Sequence, residues 1–373
     1  MADILLPNYD NCLLNLMASI RRHYGLPTTY KTNSIADLEL AKNYKNVIVL
    51  LLDGLGNKII EKNLPKNSFI AKTVVSQMTT VFPPTTAAAT TAVQTTISPI
   101  EAGWLGWHQY FKEIDHDLVM FKNYGYFDES YVPSTNVISA AVNYESIVET
   151  LKNKGIKTAD LFPAFKVGGA ENFPEFCSRI LKFCQGDERK FMYAYWDDPD
   201  SSMHEYGTSS DYVKNIIQDL NSNLEKMASS LDDDTIIFLI ADHGLIDVEP
   251  IDLYEYKDLV DTLLRLPSLD SRALSLWVKP GQNANFERLF KKYFSKAFVL
   301  YTHEQVMKMQ LFGRGTPHPR AEDFIGDYMA IATGNYYMES RDPKIVSPFI
   351  FKANHSGLTV DEMSIPLGII RHQ

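Results

Sequence analysis

The stretch Asn46-Val47-Ile48-Val49-Leu50-Leu51-Leu52-Asp53-Gly54-Leu55-Gly56 decides the fold class. A strand with one wet face alternates apolar and polar residues. From Val47 to Leu52 there is no alternation at all, which is the pattern of a strand buried on both faces in a parallel sheet covered by helices. The run stops at a carboxylate, Asp53, and the two glycines that follow call for a loop before Asn57 to Glu61 opens a helix. Open α/β sheets take their ligands beyond the carboxyl ends of their strands, so Asp53 is the first candidate functional residue.

Working outward, the pattern recurs twice. Lys190 to Trp196 (KFMYAYW) reads as a strand running into Asp197, Asp198, Pro199 and Asp200, and Thr235 to Ile240 (TIIFLI) as another running into Ala241, Asp242, His243 and Gly244. Between them Val213, Ile216, Ile217, Leu220, Leu224 and Met227 recur at helical spacing, which predicts a crossover helix within Asp211 to Leu231. Upstream, Leu13, Leu14, Leu16, Met17 and Ile20 predict an amphipathic helix over about residues 10–24. From 252 to 333 the character changes: helical stretches alternate with short strand candidates at Ala273 to Val278 and Ala297 to Tyr301. The expected fold is therefore α/β, a mostly parallel central sheet with helices on both faces, and an inserted α+β cap. Residues 1–251 form the first part of the core, 252–333 the cap, and 334–373 the last part of the core, with the sheet resuming near His355.

Composition narrows the function. The chain has 373 residues, of which 45% are hydrophobic and 22% charged, ordinary values for a folded protein. A net charge of −10 argues against binding a nucleic-acid polymer, which needs clustered Lys and Arg to displace phosphate counterions. Small phosphorylated substrates stay open, because bound cations can reverse the field inside one cleft. The three cysteines, Cys12, Cys177 and Cys184, form neither a disulfide framework nor a zinc-finger spacing. With no signal peptide or membrane span read in the sequence, a cytoplasmic protein is expected.

Three motifs carry chemistry. Asp242-His243-Gly244 delivers two potential ligands side by side from one strand end. Asp200 and His204 stand four positions apart, which puts both on one face of a helical turn. In Val81-Phe82-Pro83-Pro84-Thr85-Thr86-Ala87-Ala88-Ala89, two prolines and then small residues predict a closely packed helix whose N-terminus presents Thr85 and Thr86. Each motif alone has a bland explanation: a turn, a surface ion pair, a helix cap. The first two emerge at the same edge of the sheet as Asp53.

In order and spacing these motifs resemble the alkaline phosphatase superfamily, and within it the type I phosphodiesterase/nucleotide pyrophosphatase family, over most of the chain outside the cap. The resemblance implies two divalent metal ions, best zinc, with manganese or iron chemically tolerable. One would be held by Asp53, Thr86, Asp242 and His243, the other by Asp200, His204 and His355, the last in the H-x-G segment His355-Ser356-Gly357. Thr86 is then the nucleophile, with Thr85 capping the helix. Hydrolysis of phosphodiester or pyrophosphate bonds of small, nucleotide-like substrates would pass through a phosphothreonine. Three carboxylates and three neutral imidazoles around two divalent cations leave a net charge of about +1, enough to attract phosphate. One departure stands out: where nucleotide pyrophosphatases place an Asn that binds a phosphoryl oxygen, this chain has Gly103-Trp104-Leu105-Gly106-Trp107-His108. His108 or a backbone N–H is the expected substitute. Arg314, His318 and Arg320 are further candidates for substrate contact, on a loop above the cleft. The absence of an Arg beside the Thr85-Thr86 turn tilts the reading toward diesters. A phosphomonoesterase or phosphomutase of the same superfamily, or a non-catalytic metal-stabilised binding protein, are the alternatives. A sulfatase is disfavoured by the lack of its Cys/Ser-x-Pro-x-Arg motif.

Overall fold

The computed structural model describes residues 3–342 and 349–372. Its central sheet has six strands in the spatial order Val74–Thr79, Ser364–Ile370, Thr235–Ile240, Asn46–Leu52, Lys190–Trp196 and Lys157–Leu161. The four from Thr235–Ile240 to Lys157–Leu161 are mutually parallel, while Ser364–Ile370 runs antiparallel to both its neighbours. Every residue of the three strands first read from the sequence is buried. Since successive side chains point to opposite faces, both faces of the sheet are covered. Three of the covering helices are Leu13–His23, Phe173–Cys184 and Asp211–Ala228.

Register sets up the site. Leu52 lies opposite Trp196 and Leu51 opposite Ile240, so the three parallel strands end level with one another. Asp53, the Asp197–Asp200 turn and the Ala241–Gly244 loop therefore leave the sheet side by side.

The main sheet does not resume at His355. Ala353–Asn354 instead forms a two-residue antiparallel bridge with Ile246–Asp247, just past the Asp242-His243 loop, and the sheet resumes at Ser364. A second, antiparallel sheet has the order Phe298–Thr302, Tyr328–Ala332, Ala273–Leu276, Ser268–Asp270, His108–Phe111 and His116–Val119. Four of its strands come from within 252–333, and the hairpin 108–119 joins them from inside the stretch 1–251. The turn between Ser268–Asp270 and Ala273–Leu276 brings Asp270 to Thr85 and Ser271 to Asn354.

Candidate active site

Close backbone packing brings the loops together. Gly54 has φ of 72°, and a Cβ there would lie 2.7 Å from Leu245 Cδ1 and 2.9 Å from Asp200 Cβ. Glycine meets both the left-handed backbone and the close approach. Gly244 is equally confined, because a Cβ would fall 2.1 Å from the Asp361 carbonyl oxygen. Backbone bonds then lock the loops: Asp53 N–H donates to Trp196 O, Asp200 N–H to Asp53 O, and Gly54 N–H to Asp242 Oδ1.

The structure brings Asp53, Thr86, Asp200, His204, Asp242, His243 and His355 into one cluster. Thr86 opens the helix Thr86–Thr95 and its Oγ1 stands 3.3 Å from His243 Nε2 and 3.4 Å from Asp53 Oδ2. His243 Nε2 lies 3.4 Å from Asp53 Oδ1 and 3.6 Å from Asp242 Oδ2. On the other side, Asp200 and His204 share the helix Asp200–Tyr206 with Oδ2 to Nε2 at 3.2 Å, and His355 Nε2 is 3.9 Å from Asp200 Oδ1. The His243 and His355 rings stack at 3.8 Å.

Two features fit this donor set to metal ions. Asp53 Oδ1, Asp200 Oδ1 and Asp242 Oδ2 are buried and accept no hydrogen bond, a costly state for carboxylate oxygens unless a cation satisfies them. Each histidine also turns Nδ1 to a backbone carbonyl: His204 to Ala353 O at 2.9 Å, His243 to Gly244 O at 3.2 Å, and His355 to Pro84 O at 2.9 Å. A carbonyl only accepts, so Nδ1 carries the proton and the Nε2 lone pair faces the cluster, as in metal-ligating histidines. Two groups of ligand atoms, Asp53–Asp242–His243 and Asp200–His243–His355, each converge within 4.8 Å.

Charge crowding is severe without cations. Burial, reinforced by Asp242 and Asp200, pushes the Asp53 carboxyl well above its ordinary range, and burial likewise raises Asp242. Burial would also raise Asp200, but His204, His355 and His243 together outweigh it and hold that carboxyl below its usual value. Burial and the neighbouring His243 keep His355 neutral.

The remaining candidates sit differently. Thr85 occupies the N-cap position, yet its hydroxyl does not cap the helix: it donates to Asp270 Oδ1 at 3.4 Å. His108 is buried in the second sheet, bonded through Nδ1 to Asp117 at 3.1 Å and stacked on Tyr126 at 3.5 Å. Arg314 is exposed and paired with Asp10, Arg320 is held by Glu113 and Asp323, and His318 accepts from Arg320 N–H beside Gly103. The structure thus ties His108, Arg314, His318 and Arg320 to partners outside the cluster.

Two residues next to the cluster escaped the sequence reading. Tyr195 donates its phenolic hydrogen to Asp53 Oδ2. Asp270, from the second sheet, accepts both the Thr85 hydroxyl and the Trp107 N–H, and burial pushes its carboxyl up to about 7. A tyrosine one position before a strand end that delivers carboxylates, and charged residues flanking Ser271 between two apolar runs, were the available signals.

The sequence pattern of the type I phosphodiesterase / nucleotide pyrophosphatase family matches residues 47–346, well over half of the chain. A comparison with curated protein sequences returns no match. Among solved structures, murine ectonucleotide pyrophosphatase/phosphodiesterase 5 aligns over 88% of both chains with a TM-score of 0.62 at 17% identity. An inactive threonine-to-alanine variant of that protein in complex with AMP aligns over 87% of both chains, again at 0.62 and 17%. Phosphonoacetate hydrolase from Sinorhizobium meliloti 1021, in complex with phosphonoformate, covers 87% of this chain and 90% of its own at 0.62 and 14%. These likenesses are of fold, the alkaline-phosphatase-like arrangement expected from the motifs. With the family pattern spanning both the parallel strands and the whole of the second sheet, the chain belongs to the type I phosphodiesterase/nucleotide pyrophosphatase family and is a hydrolase of that kind.

Proposed function

We propose that this enzyme hydrolyses phosphodiester or pyrophosphate bonds of small, nucleotide-like substrates through a phosphothreonine at Thr86. The observation that carries the reading is the Thr86 hydroxyl at the head of its helix, within 3.4 Å of both His243 and Asp53. The structural neighbour that is inactive when a threonine is replaced by alanine, and binds AMP, supports it.

Asp53, Asp242, His243 and Thr86 would hold one divalent ion and Asp200, His204 and His355 the other, with zinc best suited to these donors. When bound, such ions supply Lewis-acid stabilisation of the nucleophile, the phosphoryl oxygens and the leaving oxygen. The chain's own contributions follow from geometry. Thr86 Oγ1 gives up its proton and attacks phosphorus, the bond to the leaving oxygen breaks on the opposite side, and that oxygen takes up the proton released. Water then attacks the phosphothreonine, the P–Oγ1 bond breaks, and Thr86 regains its proton. Because the Thr85 side chain leaves the helix uncapped, the first N–H groups of Thr86–Thr95 are available to a phosphoryl oxygen. That supports a helix-terminus role in place of the missing Asn.

Diesters are preferred in this reading, since Arg314 and Arg320, the cations that would serve a dianionic monoester, are engaged by acidic partners elsewhere. Buried, unpaired thiols at Cys12, Cys177 and Cys184 support a reducing compartment, and we place the enzyme in the cytoplasm. The zinc-loaded protein should turn over bis(p-nitrophenyl) phosphate at least about tenfold faster than p-nitrophenyl phosphate, a difference of about 1.4 kcal/mol in barrier. A faster monoester reaction would overturn the diester assignment, and bound metal without turnover of either would favour a binding protein.

A further inference from the structure

The second sheet reaches the active site through three consecutive residues, Asp270, Ser271 and Arg272, at the turn between Ser268–Asp270 and Ala273–Leu276. Each grips a different catalytic segment. Asp270 accepts the Thr85 hydroxyl at 3.4 Å on one oxygen and the Trp107 N–H at 3.1 Å on the other. Ser271 Oγ accepts from Asn354 Nδ2 at 3.0 Å. Arg272, fully buried, makes a two-pronged pair with the equally buried Glu362, both contacts 2.7 Å, and donates to the carbonyls of Tyr336 and Gly334.

These grips lead to the cluster within one further bond. Thr85 precedes Thr86, and the Pro84 carbonyl beside it accepts the Nδ1 proton of His355. Asn354 stands between Ala353, whose carbonyl orients His204, and His355, whose N–H Asn354 itself accepts. Glu362 accepts the Gly357 N–H at 2.6 Å, closing the segment that follows His355. The hydrogen bonds form a ring from Asp270 through the Pro84-Thr85 turn to His355, Asn354 and back to Ser271. Two non-glycine residues with positive φ flank this ring, Leu269 at 82° next to Asp270 and Ser356 at 91° next to His355. Such backbone persists only where the surroundings over-determine it.

We propose that the Asp270-Ser271-Arg272 turn is a positioning element that fixes Thr86 relative to His204 and His355. This inference rests on reading Thr86 as nucleophile and the histidines as metal ligands. The turn acts through Thr85 and Asn354 rather than on the reacting atoms. Its two arms make separable predictions. The Asp270 arm governs the aim of the nucleophile, so its loss lowers kcat and spares metal and KM. The Ser271 arm governs the segment Ala353-Asn354-His355, which carries the His204 support and His355 itself, so its loss weakens metal.

The test uses the full zinc-loaded chain. Asp270→Ala should lower kcat on bis(p-nitrophenyl) phosphate by about 10–100-fold, with KM within about twofold and two zinc ions retained, the usual scale for partners that orient a reacting group. Asp270→Asn should recover part of the loss, because its carbonyl accepts one of the two hydrogen bonds. Thr85→Val should reproduce the loss, and Asp270→Ala/Thr85→Val should be no slower than Asp270→Ala alone, as expected when one residue acts through the other. Ser271→Ala should bind zinc about tenfold more weakly in competition with a chromogenic chelator. Wild-type kcat in Asp270→Ala, additive losses in the double variant, or unchanged zinc affinity in Ser271→Ala would each overturn the proposal. If circular dichroism shows Asp270→Ala unfolded, Thr85→Val and Ser271→Ala decide, with wild-type behaviour of either counting against it. Thr86→Ala separates the two levels: full activity there sinks the underlying reading, whereas an inactive Thr86→Ala with wild-type turn variants sinks only this inference.

Discussion

Tyr195 illustrates how a single side chain sets the state of a crowded site. Its hydroxyl donates to Asp53, a carboxyl that burial and two neighbouring carboxyls push well above its ordinary range. That bond favours the ionised form needed to hold a cation. Tyr195→Phe should therefore lower zinc affinity by about tenfold or more while leaving the fold intact, measured by chelator competition and circular dichroism; unchanged affinity would remove Tyr195 from the site's support. Asp270 gives a pH prediction. Its folded value of about 7 lies above the ordinary 3.8, so between these values the folded chain holds a proton that the unfolded chain has released. This contribution is complete below about pH 4 and is lost as pH rises through 7, at up to about 1.4 kcal/mol per pH unit. In metal-free protein, urea unfolding at pH 5 and pH 8 should differ less for Asp270→Asn than for wild type, and equal differences would contradict this. The clustered acidic and histidine residues were legible as candidates because each follows a recognisable strand or sits in a spaced motif. Tyr195 was hidden in an apolar run, and Asp270 belongs to no motif, so only the fold shows that it is buried.

At the scale of elements, the glycines after the strands do what the side chains cannot. Gly54→Ala would set a Cβ against Leu245 and Asp200 on a backbone at φ 72°, and should cost more than about 1 kcal/mol of stability along with metal affinity, read by denaturant unfolding and zinc titration. A neutral outcome on both would mean that the loop packing is softer than drawn. Strands buried on both faces were legible end to end: Asn46–Leu52, Lys190–Trp196 and Thr235–Ile240 lie where their unbroken apolar runs put them. The other three strands of the central sheet were not. Val74–Thr79 and Lys157–Leu161 mix exposed and buried positions, and Ser364–Ile370 contains Pro366 and Gly368, residues that argue against a central strand. Gly368 sits beside a register shift, where the chain tolerates it. Ser268–Asp270, at three residues, is too short for any periodicity to register. The hairpin 108–119 joins the second sheet only through long-range pairing of His108 with Leu269, which no local pattern announces.

The whole molecule is acidic, with a net charge of −10, and gathers three carboxylates into one buried cluster. Without cations this is a costly arrangement, so under the proposed two-metal reading metal binding and folding are coupled. Zinc at about 100 times its dissociation constant should stabilise the protein by about 2.7 kcal/mol per site, visible as a raised Tm over the chelator-treated protein; an unchanged Tm would mean that the cluster holds no metal. The central claim is that Thr86, held at the meeting of the helix Thr86–Thr95 and the strand-end carboxylates, is the group that takes the phosphoryl. Acid quench of the zinc-loaded enzyme during turnover of bis(p-nitrophenyl) phosphate, followed by peptide mass spectrometry, tests it most directly. A phosphorylated or p-nitrophenyl-phosphorylated Thr86, absent in Thr86→Ala, is the predicted result. The same adduct on Thr85, or full turnover by Thr86→Ala, would contradict it.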